Sequence, residues 1–151
     1  MGVPGLLRML ESITTREHLR DYRDMIVGID ASSWLYQAAY SCSSELAQGI
    51  KTDKYVKGFM KRVELLQSNG VVPVIVFDGA PLPIKGNKNQ ERSEKRRHNK
   101  ELGLAALAAG DTRVARNYFN QALRVTPEMA HEVTQALGAA GVKWLVAPYE
   151  A

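Results

Sequence analysis

Three short apolar runs in this chain each end at or beside a carboxylate. Met25–Ile29 leads to Asp30, Val71–Phe77 leads to Asp78, and Val142–Ala147 leads through Pro148 and Tyr149 to Glu150. Carboxylates gathered on one edge repel each other unless a cation lies between them. Hard cations such as Mg²⁺ take oxygen ligands and keep several waters. Two such ions, roughly 4 Å apart, activate a water and stabilise the leaving oxygen in phosphodiester hydrolysis. The competing reading is that a strand-end aspartate caps a turn or a helix, which suffices for any one of the three alone.

The second chemical feature is a cationic segment. Between positions 85 and 100 stand Lys85, Lys88, Arg92, Lys95, Arg96, Arg97 and Lys100, against Glu91 and Glu94 alone. The whole chain carries a formal charge of +4, so the remainder is slightly acidic and the positive charge is local. A phosphate backbone rewards such a segment, although a charge run is also what a solvated helix face looks like.

These residues need elements to position them. The three apolar runs are rich in β-branched residues and short enough to be buried strands. Helical patterns fill the intervals: Pro4–Leu10, Ser32–Ala47, a helix from a Thr52-Asp53 cap to Ser68, Glu91–Ala109, Thr112–Val125 capped by Asp111, and a last one capped by Thr126-Pro127 and ending at Gly141. Gly79 and Pro81-Leu82-Pro83 break the chain after the second strand, and Gly86–Gln90 reads as polar and flexible. Strands joined by helical crossovers imply an α/β fold, a parallel sheet with helices on both faces. In such sheets the ligand site lies beyond the carboxyl ends of the strands, where all three carboxylates fall.

Four blocks of this sequence carry a resemblance. Met1-Gly2-Val3-Pro4-Gly5-Leu6-Leu7, Gly28-Ile29-Asp30-Ala31-Ser32-Ser33-Trp34-Leu35-Tyr36, Val76-Phe77-Asp78-Gly79 and Val146-Ala147-Pro148-Tyr149-Glu150-Ala151 follow one another in order across the chain. Together they resemble the N-terminal region of the flap endonuclease superfamily of 5′ nucleases. The spacing, Tyr118-Phe119 and Ala130-His131-Glu132 are most similar to its exonuclease-one branch, which resects DNA 5′→3′ in repair. The resemblance implies a PIN-like 5′ nuclease fold in which residues 85–125 form a helical arch over the site. It implies a two-ion Mg²⁺ centre in the complete family domain, with Mn²⁺ as a substitute, to which Asp30, Asp78 and Glu150 contribute and whose further carboxylates lie beyond Ala151. Lys85 and Arg92 match the cations that reach the scissile phosphate, where preorganised positive charge stabilises the charge built up by attack. Lys88, Lys95, Arg96 and Arg97 would guide the strand. Tyr36 matches a position that stacks on a nucleotide, worth about 1–3 kcal/mol per base, with helix-face packing as its alternative. Gly2 matches a position near the substrate junction, where the absence of a side chain admits DNA. The implied partner is DNA with a free 5′ end, flap or junction, and the implied compartment is the nucleus. The family pattern continues beyond Ala151 into an aspartate and a helix–two-turn–helix element, so residues 1–151 are expected to be the N-terminal part of an incomplete nuclease domain.

The remaining observations set bounds. A hydrophobic content of 45% supports a packed core and excludes a disordered tail. One cysteine, Cys42, allows no intramolecular disulfide, fits a reducing compartment and reads as core. No apolar run approaches the roughly 20 residues of a membrane span, and the opening residues lack a signal-peptide pattern. Leu6 replaces the Ser or Thr that a myristoylation signal needs. His98 and His131 have no metal-ligand partners at useful spacing. Gly110–Leu123 also resembles half of a tetratricopeptide repeat, but solenoids need about three repeats. A PIN-like ribonuclease and a non-catalytic DNA-binding fragment are the alternative functions.

Overall fold

The structure is a computed structural model that describes residues 5–80 and 86–149, with 86–89 described by backbone only. Three parallel strands, β1 (Ile26–Asp30), β2 (Val72–Phe77) and β3 (Lys143–Val146), form one sheet in the order β1-β2-β3. Ile26 pairs with Val72 and Asp30 with Val76, while Val74 pairs with Lys143 and Phe77 with Val146. All three carboxyl ends therefore share one edge, as the crossover pattern predicted.

The crossovers are α2 (Ala31–Tyr40) with α3 (Ser43–Ala47) and α4 (Lys54–Ser68) between β1 and β2, and α5 (Gly86–Ala108), α6 (Thr112–Ala122) and α7 (Pro127–Ala139) between β2 and β3. A short α1 (Leu6–Met9) precedes them. The helices bury stripes at helical spacing: Tyr55, Phe59, Val63 and Leu66 on α4, and Met129, Val133 and Leu137 on α7. All of these except Leu66 meet Ile75 and Phe77 of β2 and Leu35 of α2 in one core cluster. Phe59 is fully buried, and burying such a side chain contributes about 1.5–3 kcal/mol.

Helices cover one face of the sheet only. Pro73, Ile75 and Phe77 point into the core, whereas Ile26, Val72 and Leu145 on the opposite face are exposed. The expectation of helices on both faces is thus met on one face among the described residues.

Two boundaries differ from the sequence reading. The helix expected over Ser32–Ala47 breaks at Ser41-Cys42. Ser41 Oγ donates back to the Ala38 carbonyl at 2.9 Å, competing with the helical ladder, and the break turns Cys42 and Ser43 inward. Gly86–Gln90, read as flexible, forms the first turns of α5. Its polar residues give no hydrophobic period to read, and the helix propagates through them from the longer segment behind. The expected caps hold: Asp111 Oδ1 accepts from Val114 N–H at 2.9 Å, and Thr126 Oγ1 from Met129 N–H at 3.4 Å, with Pro127 at the first helical position.

Helices α5 and α6 form an antiparallel hairpin. Gly103 of α5 lies against Phe119 of α6, so closely that a Cβ there would come within 2.6 Å of the ring. The hairpin is tied to the rest by a buried hydrogen bond from Ser43 Oγ on α3 to Asn120 Oδ1 on α6, at 2.5 Å. Among the described residues no helix is long and apolar enough to cross a membrane.

Candidate functional site

Asp30 ends β1 and caps α2. Its Oδ1 accepts the backbone N–H of Ser32 at 2.9 Å and of Ser33 at 3.3 Å. The capping reading of a strand-end aspartate is therefore correct for this residue. It does not exclude the other, because Oδ2 takes no hydrogen bond among the described residues. The N-terminal dipole of α2 favours the negative charge held there.

Asp78 follows β2 directly, and its Oδ2 accepts the Ser32 hydroxyl at 2.5 Å. Two strand-end carboxylates thus converge on the first turn of one helix. Both residues are exposed at the sheet edge. Oxygen donors in this setting, open to water, suit a hard divalent cation, which commonly takes one or two carboxylates and fills the rest of its shell with water and phosphate oxygens. Among the described residues no group of three or more His, Cys, Asp or Glu side chains stands together.

The tails beyond β2 and β3 stay paired past the strand ends. Ala147 N–H donates to the Phe77 carbonyl at 2.9 Å, Gly79 N–H to that of Tyr149 at 2.8 Å, and Ala80 N–H to that of Pro148 at 3.2 Å. This closeness requires glycine at 79, since a Cβ would lie 1.9 Å from the Ala147 oxygen. Tyr149 is thereby fixed beside Gly79. Glu150, the next residue, lies outside the described residues, as do Gly2, Lys85 and the side chain of Lys88.

A cavity of about 820 Å³ opens from Asp78 and runs between α2 and α7. Ser32 and Tyr36 line it from α2, Arg96 from α5, Arg124 from the α6–α7 connection, His131 from α7, and Trp144 from β3. Tyr36 is 41% exposed, so its ring faces the cavity rather than filling the helix interface. Arg96 is half-buried, and neither it nor Arg124 makes an ion pair within 4 Å among the described residues. Arg92 stands one helical turn before Arg96 on α5, exposed, as are Lys95 and Arg97. None of these three lines the cavity.

Sequence reasoning missed Ser32, Arg124 and Trp144. Ser32 was quoted only as part of a block, and a serine in a first helical turn reads as ordinary capping. Arg124 precedes the Thr126-Pro127 cap outside the dense cationic run, and only the turn of the chain at Leu123, which leaves the helix with ψ 133°, brings it to the cavity. Trp144 read as strand core. Of the two histidines, His131 lines the cavity and His98 is an exposed residue of α5.

The chain is 41% identical over all 151 residues to Exonuclease 1 of Xenopus laevis, 40% to that of Arabidopsis thaliana, and 40% to Exodeoxyribonuclease 1 of Saccharomyces cerevisiae. It spans 21%, 20% and 22% of those proteins. Its fold superposes on the catalytic core of Rad2, solved in complex with DNA substrate, with a TM-score of 0.63 at 23% identity, covering 99% of this chain and 38% of that one. The profile of the XPG N-terminal domain matches residues 1–99, and the chain belongs to that family.

Proposed function

We propose that this chain supplies the N-terminal part of the active site of a Mg²⁺-dependent 5′ nuclease acting on DNA in repair, a 5′→3′ exonuclease with 5′ flap endonuclease capacity. The supporting observation is the junction at Ser32, which donates to both Asp30 and Asp78 and, with Asp78, lines a cavity walled by arginines and aromatic rings. A divalent cation held by Asp30 and Asp78, with Mn²⁺ able to replace Mg²⁺, supplies water activation and charge stabilisation for phosphodiester hydrolysis. Glu150 joins that carboxylate set in this reading, since Tyr149 is pinned beside Gly79.

The protein's own groups do the rest. Lys85 and Arg92 act on the scissile phosphate, where attack builds negative charge, the arginine through a planar fork and the lysine as a point charge. Arg96, with Lys88, Lys95 and Arg97 along the same helix, holds the phosphates of the strand. Arg124 faces the cavity that Arg96 also lines. Tyr36 offers its exposed ring to a base, and Gly2, by the family resemblance, admits the duplex through its lack of a side chain. The α5–α6 hairpin serves as the arch, residues 85–125, that restricts substrates to a free 5′ end, flap or junction. Such a substrate places the protein in the nucleus.

The test is cleavage of 5′-labelled flap and recessed-end DNA with Mg²⁺, by this chain and by Asp78→Ala. Metal-dependent products from the first and none from the second are expected. Equal products from both would refute catalysis through Asp78. Cleavage of RNA but not DNA would favour a PIN-like ribonuclease, and salt-sensitive DNA binding without cleavage would favour a non-catalytic DNA-binding fragment.

A further inference from the structure

Among the described residues, Ser32 bonds to both strand-end carboxylates, Asp30 and Asp78. Its backbone N–H donates to Asp30 Oδ1 at 2.9 Å, and its hydroxyl donates to Asp78 Oδ2 at 2.5 Å. The two bonds differ in kind. The first belongs to the helix cap and any non-proline residue at position 32 would make it. The second needs a hydroxyl and serves no helical purpose, since it crosses from α2 to the end of β2, a separation of 46 residues in sequence. It is also made at a half-buried position, where a fixed side chain is held by its surroundings.

Two carboxylates at one edge repel, and that repulsion favours turning them apart before a cation arrives. A hydroxyl anchored on the rigid first turn of α2 holds one oxygen of Asp78 and so limits that rotation. Groups that orient a ligand through a hydrogen bond typically govern metal affinity by about 10–100-fold without touching the metal.

We infer that Ser32 is a positioning residue for the cation site, with its hydroxyl orienting the Asp78 carboxylate while its amide holds that of Asp30. The inference rests on the proposed role of these carboxylates as cation ligands. Ser32→Ala removes only the hydroxyl, leaving the cap to Asp30 intact and placing a good helix former in the first turn. Ser32→Thr restores the hydroxyl.

The experiment measures Mn²⁺ binding to this chain by electron paramagnetic resonance of the free ion, together with thermal unfolding. Wild type and Ser32→Thr should bind within about twofold of each other, and Ser32→Ala about tenfold more weakly, with a melting temperature within about 3 °C of wild type. Equal Mn²⁺ affinity in wild type and Ser32→Ala would overturn the inference and leave the carboxylate site standing. Equal weakening in the alanine and threonine variants would overturn it too, because the hydroxyl would not be the agent. A wild-type chain that takes up no Mn²⁺ would overturn the reading of Asp30 and Asp78 as ligands, and this inference with it. Should Ser32→Ala unfold, Ser32→Thr and Ser32→Val, which matches threonine in shape without the hydroxyl, give the same comparison.

Discussion

Gly79→Ala is the most discriminating substitution available at the carboxylate edge. A Cβ at position 79 would stand 1.9 Å from the Ala147 carbonyl oxygen and 2.9 Å from the carbonyl carbon and oxygen of Pro148. All three are backbone atoms, so no side chain can rotate to make room. A carbon needs about 3.3 Å from a carbonyl oxygen, so the tails after β2 and β3 must part by roughly 1.4 Å. That movement stretches the bond from Gly79 N–H to Tyr149, now 2.8 Å, and the one from Ala80 N–H to Pro148, now 3.2 Å, beyond useful length. At about 1 kcal/mol each, the two bonds account for roughly 2 kcal/mol of stability. The functional effect should be larger than the stability effect, because the strain falls between Asp78 and the residue preceding Glu150. A displacement near 1 Å at a reacting centre costs about 100-fold in rate. The assays are thermal unfolding, Mn²⁺ binding and cleavage of flap DNA. Gly138→Ala is the control: it lies in α7 with nothing within 4 Å of its Cβ, and should gain up to about 1 kcal/mol from helix propensity. A Gly79→Ala chain with wild-type stability and wild-type Mn²⁺ affinity would show that the tail pairing neither holds nor aligns the edge.

Three further outcomes are expected. Arg96→Gln and Arg124→Gln should each weaken DNA binding and lower the slope of log affinity against log salt by about 0.7–0.9, as loss of one phosphate contact does; an unchanged slope for either would remove that arginine from the path of the strand. Gly103→Ala should lower stability, because overpacking against the buried Phe119 ring costs about 1–3 kcal/mol and outweighs a helix-propensity gain of about 1 kcal/mol; a raised melting temperature would show that the α5–α6 contact is slack. Burial pushes the Cys42 thiol above its ordinary range, reinforced by the Glu45 charge, so the native chain should resist iodoacetamide at pH 8 while the urea-unfolded chain reacts. Because the folded value is the raised one, this thiol's contribution to stability is fully present below the unfolded thiol's range and is lost as pH rises from there through the raised folded value, and a native chain as reactive as the unfolded one would contradict the burial.

The strands were legible because a buried parallel strand writes a continuous apolar run, and Val72–Phe77 is one even with Pro73 inside it. Capped helices were legible because Asp111 and Thr126-Pro127 carry side-chain chemistry that belongs to helix starts. What failed was local competition. Ser41 bonds back to Ala38 and ends α2 early, a choice settled by the burial of Cys42 and Ser43 against the hairpin and therefore by residues near position 120. Which strand residues lie on the open face has no mark of its own, since Ile26, Val72 and Leu145 stand in the same kind of continuous apolar run as the buried Ile75 and Phe77.

The site was legible as a direction rather than as a set of contacts. Strand-end carboxylates on a parallel sheet must share an edge, and the strand order β1-β2-β3 makes Asp30 and Asp78 neighbours on it. The sequence posed their roles as a choice between helix cap and cation ligand, and the structure shows that for Asp30 the cap does not use up both oxygens. Asp30 spends Oδ1 on the cap and keeps Oδ2, so the cap is what aims the remaining oxygen. The same economy explains why Ser32 and Arg124 were invisible. Each contacts elements distant in sequence, Ser32 the end of β2 and Arg124 a cavity whose walls include α2, α5 and β3 as well as the adjacent α7. A residue whose role is to join elements has no local pattern. Such residues are found by asking which single side chain, if shortened, would leave every element intact and only their relative aim undefined.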